Sequence, residues 1–337
     1  MRIGFDHYSI GHRGLSAEAT LAFARKNGLE GVQFLEPSSI DRNLDSTHLA
    51  EFRKQADSLR LYLEVGFPTP NPVRRSRELE RTVSAAERAR ELRPHVEALA
   101  ALGCTHTRAY VGDRHDRFRT DTPWPAQRAA TLDVLRLLSP CLRDLGVRIA
   151  LETHADQTVD EILNMIECLG PDLLGVTLDT GNLVMRLEDP LEAVKRLAPF
   201  VLCTHVKDAV LAFTPRGLCW QARPVGSGIL PLADMLATLH AADPNLNLSI
   251  ELHPRTYDLP IYDKTWLAFF PDLRPDSLTA VVRLAALCEQ RYATSELHRP
   301  ELIEATPWAE RDLDWLAQSS GFLKKVVAML DKISQNP

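Results

Sequence analysis

Four apolar segments of this chain each end in a side chain that can bind a divalent metal, and that recurrence constrains the fold more than any other feature. In Val147-Arg-Ile-Ala-Leu-Glu-Thr-His154 the apolar run closes on Glu152, with His154 two residues later, so both can project from one side of a strand. The pattern returns in Leu174-Gly-Val-Thr-Leu-Asp179, in Val201-Leu-Cys-Thr-His205-Val-Lys207-Asp208 and in Leu248-Ser-Ile-Glu251-Leu-His253. Acidic and imidazole groups at successive strand ends, separated by helical sequence, converge only if the strands are parallel and neighbouring. A divalent metal site requires that geometry.

The rest of the chain keeps the same rhythm. Residues 2–7 read as a first strand ending in Asp6 and His7, and residues 15–26 as its amphipathic helix, closed by Asn27-Gly28. Residues 31–36 and 61–66 read as the next two strands, with a helix over 46–59 between them. The segment 67–77 is too rich in proline for regular structure and reads as a loop into a long helix ending near Leu102. A fourth strand follows over 104–111, then a long loop over 113–125 and a helix over 126–145. Beyond Glu152 come helix 158–169, strand 174–179, helix 190–198, strand 201–207, an irregular stretch, helix 231–241, strand 248–252 and helix 276–291.

Eight strand-then-helix units predict an α/β fold, a (β/α)8 TIM barrel over residues 1–294. No Gly-x-Gly-x-x-Gly turn supports a dinucleotide fold instead. Residues 295–337, with Trp308, Trp315 and the apolar spacing of Phe322, Val326, Met329 and Leu330, predict a C-terminal helical extension. It is expected to pack on the barrel or on a neighbouring subunit of a homo-oligomer.

A formal net charge of −6 argues against a nucleic-acid partner. No apolar run approaches the length of a membrane span, and the N-terminus lacks the order of a signal peptide. The cysteines at 104, 141, 168, 203, 219 and 288 never form Cys-x-x-Cys, so free thiols in a reducing cytoplasm are expected.

In a barrel, groups at the carboxyl ends of the strands gather at one mouth. Glu152, Asp179, His205 and Glu251 form a hard, oxygen-rich set, suited to Mn2+, Mg2+ or Co2+ and less particular to Zn2+. His154, Lys207 and His253 follow their ligands by two positions and are candidates for the same mouth. Lys207 is placed to hold a substrate oxygen, its competing role being an ion pair with Asp208 or another local carboxylate. The two histidines read equally well as supports for a ligand. His7 is placed either to line the mouth or to serve as a hydrogen-bonded structural histidine.

Leu151-Glu-Thr-His154, Leu178-Asp-Thr-Gly-Asn182, Thr204-His-Val-Lys-Asp208, Arg223-Pro-Val-Gly-Ser-Gly228 and Ile250-Glu-Leu-His253 together resemble the sugar isomerase/epimerase branch of the xylose isomerase-like TIM barrels. That branch includes ketose 3-epimerases, hydroxypyruvate isomerases and inosose dehydratases. The resemblance implies that Glu152, Asp179, His205 and Glu251 bind one metal ion, Mn2+ before the others, with Glu152 and Glu251 as an acid/base pair and Arg223 as a substrate contact. The implied activity is isomerisation or epimerisation of a sugar or polyol by proton transfer through an enediolate, which a metal bridging a carbonyl and its neighbouring hydroxyl stabilises. Expulsion of a β-substituent from the same intermediate gives a dehydratase or lyase instead, on a keto-sugar, keto-inositol or 3-keto-glycoside. Asn182 stands where epimerase-like members have a histidine, and is a candidate substrate contact. Glu36 reads as a loop carboxylate, with a substrate contact as the alternative.

Two other readings compete. An apurinic-site endonuclease on this barrel needs several additional histidines, one of them at the place of Asn182. Its phosphate patch would be Arg74, Arg75, Arg77, Arg81, Arg88, Arg90 and Arg93, but Glu78, Glu80, Glu87 and Glu91 are interleaved with it. A non-catalytic sugar-binding scaffold is the other, and an intact ligand set argues against it.

Overall fold

The computed structural model describes residues 1–335. The chain begins with β1 (Arg2–Asp6), α1 (Ala17–Lys26), β2 (Gly31–Phe34), α2 (Ser46–Ser58), β3 (Tyr62–Val65), α3 (Pro72–Glu78), α4 (Ala85–Ala101) and β4 (His106–Ala109). It continues through α5 (Trp124–Asp144), β5 (Arg148–Glu152), α6 (Val159–Leu169), β6 (Leu174–Asp179), α7 (Pro190–Leu197), β7 (Val201–His205), β8 (Asp208–Thr214) and β9 (Gly217–Arg223). It closes with α8 (Leu232–Ala242), β10 (Asn247–Ile250), β11 (Thr256–Leu259), α9 (Lys264–Leu267), α10 (Pro275–Ala293), α11 (Pro300–Glu304) and α12 (Trp308–Gln335). Strands β1 to β7 and β10 are the eight expected from the sequence, each shorter than or equal to its predicted span. No helix among the described residues is long and apolar enough to cross a membrane.

The chain divides into two compact units. One comprises Leu15–Leu178 and Phe200–Cys203. In it β2 pairs in parallel with β3, from Gly31 opposite Tyr62 to Phe34 opposite Val65, and β5 lies parallel between β4 and β6. Parallel neighbours need a crossover, which α2 and the helices after it supply. Val32, Phe34, Val65, Ile149, Leu151 and Val176 are buried, as expected of strands covered on both faces. Helix α6 starts with a capping box, in which Thr158 Oγ1 accepts from the Glu161 amide and the Glu161 carboxylate accepts from the Thr158 amide.

The other unit comprises Met1–Gly14, Asp179–Pro199 and Thr204–Pro337. Its β1 pairs in parallel with β10, and Val206 bridges Ile250. An antiparallel sheet follows the end of β7: β8 pairs with β9 from Asp208 opposite Arg223 to Thr214 opposite Gly217, and β11 adds to the far edge of β9. This sheet replaces the irregular stretch expected after strand 201–207. Two apolar runs flank Pro215-Arg216-Gly217, and Gly217 takes a φ of 149° that other residues avoid.

Helix α12 packs on β1, α8 and β10 of its own unit. It buries Trp315, Leu316, Ser319, Leu323, Val326, Val327 and Leu330, an i, i+3, i+4 stripe. Met329, expected in that stripe, is 48% exposed because it falls outside this face. A fully buried Leu or Val contributes about 1.5–3 kcal/mol, so the stripe anchors the helix firmly.

The proline-rich segment is also more regular than expected. Asn71 Oδ1 caps the amides of Val73 and Arg74, and Pro72 occupies the first turn of α3, where its missing amide costs nothing. All six cysteines are free, and Cys104, Cys203, Cys219 and Cys288 are buried.

Candidate metal centre

Three of the strand-end side chains meet within one unit. Asp179 closes β6, His205 closes β7 and Glu251 follows β10 directly, and one ligand atom from each lies within 4.8 Å of the others. The local chain holds each of them. The amides of Gly181 and Asn182 donate to Asp179 Oδ1 at 3.0 and 3.1 Å, and Asn182 Nδ2 donates to Asp179 Oδ2 at 2.7 Å. Asn182 therefore orients a carboxylate in this structure.

His205 is fully buried, and its Nε2 lies 3.1 Å from Asp6 Oδ2. A carboxylate there accepts a hydrogen bond from Nε2–H, which leaves the Nδ1 lone pair on the side of Glu251 Oε1, 3.6 Å away, and Asp179 Oδ2, 4.0 Å away. Asp6 was read in the sequence only as the end of the first strand. The strand-end rule that found the other acids applies equally to it. Its second oxygen accepts from the Tyr8 amide at 2.7 Å, so the turn after β1 fixes it.

Lys207 lies beyond the end of β7, yet its ammonium reaches this group. Nζ is 2.8 Å from Asp179 Oδ2 and also pairs with Glu251 Oε2. Burial alone would depress the ammonium pKa, but the two carboxylates outweigh it and raise it above the ordinary lysine value. Thr180 pins the backbone beneath: its Oγ1 donates to the Lys207 carbonyl at 2.6 Å and accepts from the Lys207 amide at 2.9 Å. Lys207 thus makes the ion pair foreseen as one of its two roles, with Asp179 and Glu251 as partners.

Asp208, the neighbour of Lys207, organises the loop after β9. Oδ1 accepts from the amides of Ala209 and Leu230 at 2.8 and 3.1 Å, and Oδ2 from those of Gly226 and Gly228 at 3.2 and 2.8 Å. Burial still raises its pKa to about 6. Arg223 points elsewhere: one terminal nitrogen donates to the His298 carbonyl at 2.6 Å.

His253 does not follow strand geometry beyond Glu251. It lies against the Trp220 ring at 5.7 Å between centroids, with Tyr257 edge-on at 6.1 Å and Tyr8 at 6.3 Å. Its Nδ1 lies 3.0 Å from the Pro254 carbonyl, and burial pushes its pKa down to about 4. Trp220 is buried and donates Nε1–H to the Gly181 carbonyl at 2.9 Å. These rings make an aromatic wall, with Trp220 and Tyr257 standing on the antiparallel sheet. His7 opens the turn after β1 and is half-buried.

Glu152 belongs to the other unit. It ends β5, 1% exposed, and its Oε2 accepts from Arg108 Nε of β4 at 2.8 Å. Arg108 was missed, because β4 reads His106-Thr107-Arg108-Ala109 and has no apolar run against which a charge stands out. Its guanidinium and that of Arg74 lie 5.5 and 5.6 Å from the Tyr110 ring centre. His154 packs on the same ring at 5.3 Å, and its Nδ1 lies 3.0 Å from the Gly112 carbonyl. Asp156, fully buried, accepts from the Gly112 amide at 2.6 Å, and burial raises its pKa to about 6. Glu36 accepts from Ser38 Oγ at 2.6 Å, as befits a loop carboxylate.

Six arginines of 74–93, namely Arg74, Arg75, Arg77, Arg81, Arg88 and Arg93, pair with acids. Arg74 pairs with Glu78, Asp113 and Asp116, Arg75 and Arg88 pair with Glu91, and Arg81 pairs with Glu87.

Glu152, Asp179, His205 and Glu251 are thus all buried, and each offers one donor atom of the hard kind that holds a divalent ion. A family model for the xylose isomerase-like TIM barrel matches residues 21–268, and the chain belongs to that family.

Among its relatives, 3-oxo-isoapionate decarboxylase of Pectobacterium atrosepticum is 28% identical over 136 residues, 40% of this chain and 49% of that protein. Inosose dehydratase of Geobacillus kaustophilus is 28% identical over 92 residues, 26% of this chain and 29% of that protein. The matches thus span less than half the length of these relatives. In fold, the chain is similar to L-ribulose 3-epimerase, with a TM-score of 0.61 and 17% identity over 99% of this chain and 97% of that one. It is similar also to 3-keto-D-glucoside 4-epimerase from E. coli, with a TM-score of 0.55 and 15% identity over 84% of this chain and 99% of that one. The two relatives in sequence are thus a decarboxylase and a dehydratase, and the two structures of similar fold are epimerases.

Proposed function

We propose that this chain is a divalent-metal-dependent enzyme acting on a keto-sugar or polyol, with residues 1–294 as its catalytic barrel and Glu152, Asp179, His205 and Glu251 as the ligands of one cation. The observation that carries the reading is the meeting of three buried strand-end groups: one ligand atom each from Asp179, His205 and Glu251 lies within 4.8 Å of the others. The carboxylate of Asp6 stands behind His205, and the Lys207 ammonium pairs with Asp179 and Glu251. A divalent ion held there would add positive charge beside these buried acids. Such an ion, Mn2+ in our reading, would supply Lewis-acid polarisation of a substrate carbonyl.

The protein's own groups then act on the substrate. Glu152 and Glu251 are the carboxylates that move the carbon-bound proton, and Lys207 holds a substrate oxygen. Asn182 keeps Asp179 in place, and Asp6 keeps His205 in place. The rings of His253 and Tyr8 offer an apolar face to a sugar, with His7 and His154 as further contacts. Arg223 acts through the extension that its guanidinium touches.

Isomerisation and epimerisation need Glu152 and Glu251 as opposed acid and base. A specific observation favours a second reading, release of a β-substituent or a carboxyl group. One oxygen of Glu152 already accepts from Arg108, and one of Glu251 from Lys207. Both carboxylates are partly occupied, and the two cations suit the negative charge left behind when a group departs.

Metal content measured on protein purified without chelator tests the first claim. Incubation with ketoses, inososes, 3-keto-glycosides and 3-keto sugar acids in deuterated water tests the second. Deuterium gained with mass class retained marks an isomerase or epimerase; loss of water, aglycone or carbon dioxide marks a lyase. Protein that takes up no divalent ion overturns the proposal.

A further inference from the structure

The C-terminal helix touches the turn after β1 at several points, and that turn holds two of the proposed ligands. Trp308 Nε1 donates to the Ser9 carbonyl at 3.2 Å. Arg13 makes a two-pronged pair with Asp312, Nε to Oδ2 at 2.7 Å and a terminal nitrogen to Oδ1 at 2.6 Å, and donates also to the Ala309 carbonyl at 3.3 Å. His12 Nε2 lies 3.3 Å from the same Asp312. The Asp312 side chain is only 1% exposed and that of Arg13 30%, so this is a part-buried, directional contact.

The turn passes the constraint on. Ser9, 1% exposed, donates Oγ–H to the Ile250 carbonyl at 3.4 Å and accepts from the Leu252 amide at 2.9 Å. Those two peptide groups flank Glu251. β10 ends at Ile250, and the Glu251 amide still donates to the Val206 carbonyl at 3.2 Å, so Ser9 adds its two bonds where the strand pairing comes to an end. At the head of the same turn, Asp6 carries the contact to His205. The turn is short and closes on Gly14 with a φ of 62°, so a shift at Arg13 has few bonds in which to dissipate before it reaches Ser9.

We propose that α12 is a working part of the metal centre, with Asp312 and Trp308 acting through Ser9 as positioning residues for Glu251. Helix α12 sets the turn, Ser9 sets the peptides on either side of Glu251, and the carboxylate meets the cation where those peptides put it. The proposal rests on the reading of Glu251 as a metal ligand, and two readouts keep the claims apart.

The test compares the native chain with Ser9→Ala, Asp312→Ala and Met329→Ala, the last a control on the exposed face of the same helix. Mn2+ affinity is measured from the spectrum of the free ion, and hydrogen exchange at the Leu252 amide is followed in metal-free protein. Ser9→Ala and Asp312→Ala are expected to weaken Mn2+ binding about tenfold or more and to speed Leu252 exchange by a similar factor, with Met329→Ala unchanged in both. Ser9→Thr, which keeps the hydroxyl, is expected to restore much of the loss. Unchanged Leu252 exchange in both variants overturns the latch whatever the metal does. Faster exchange with unaltered Mn2+ affinity overturns the link to Glu251. If the native protein binds no Mn2+ at all, the metal reading fails, and with it the role given to the latch, while the exchange data still report whether the latch exists.

Discussion

Replacing Lys207 with methionine isolates the charge at the centre of the proposed site. Methionine keeps most of the aliphatic stem and removes the ammonium, so Asp179 and Glu251 lose the cation they share. Removing one partner of a buried ion pair costs about 3–5 kcal/mol, because a charge is left without compensation. Unfolding entropy near 2.1 cal/mol/K per residue, over 337 residues, gives roughly 0.7 kcal/mol per degree, so the midpoint should fall by roughly 4–7 °C. The assay is thermal unfolding in excess chelator, followed by circular dichroism, and repeated with saturating Mn2+. In chelator the variant melts below the native chain by that amount; with Mn2+ the gap narrows, because the bound ion supplies the missing charge. Equal midpoints in chelator would refute the claim that Lys207 compensates these carboxylates. A gap that Mn2+ leaves untouched would refute the claim that ion and ammonium serve the same acids.

Further outcomes follow from the same contacts. A Cβ at Gly181 would lie 2.4 Å from Lys207 Cγ and 2.9 Å from its Cδ, in the stem rather than the mobile tip. Gly181→Ala should therefore displace Lys207, costing about 1–3 kcal/mol in denaturant unfolding, and an unchanged midpoint would contradict it. Asp6→Asn should weaken divalent-metal binding about 10–100-fold, as for other outer partners of a metal-binding histidine; calorimetric titration showing native affinity would remove Asp6 from the site. Asp156, with its pKa raised from 3.8 to about 6, binds its proton more tightly folded than unfolded. The stability this adds is complete below about pH 4 and is lost as pH rises through about 6, a swing of at most about 3 kcal/mol. Asp156→Asn keeps an acceptor for the Gly112 amide and should flatten that slope, gaining on the native chain between pH 4 and pH 7 in urea midpoints; parallel curves would contradict it.

Much of this was legible because strand-end chemistry is periodic. The alternation of apolar runs with helical segments exposed eight parallel strands, and the residues where those runs stop included Glu152, Asp179, His205 and Glu251. Asp6 sits at such a stop too, but a lone acid before a histidine gives no hint that its partner is His205, 199 positions away, 205 − 6. Arg108 escaped because a four-residue strand is too short for one charged member to stand out. The antiparallel sheet was hidden by proline at its turn, which broke the apparent strand into pieces. Its third member, β11, follows Glu251 by only a few residues, so local pattern cannot show that it returns to β9. The face of α12 was misjudged at Met329, since a surface methionine and a core methionine look alike in sequence.

The Asp208 carboxylate carries one more consequence. Its two oxygens serve four main-chain amides, those of Ala209, Gly226, Gly228 and Leu230, so the bend after β9 draws its outline from a single anchor rather than from its own side chains. Ser227 is then free to drift in identity while the bend survives, whereas Gly226 and Gly228 leave no room for a side chain and Ile229 is buried. An exchange at Asp208 would remove the anchor in one step, so the bend hangs on a keystone outside it.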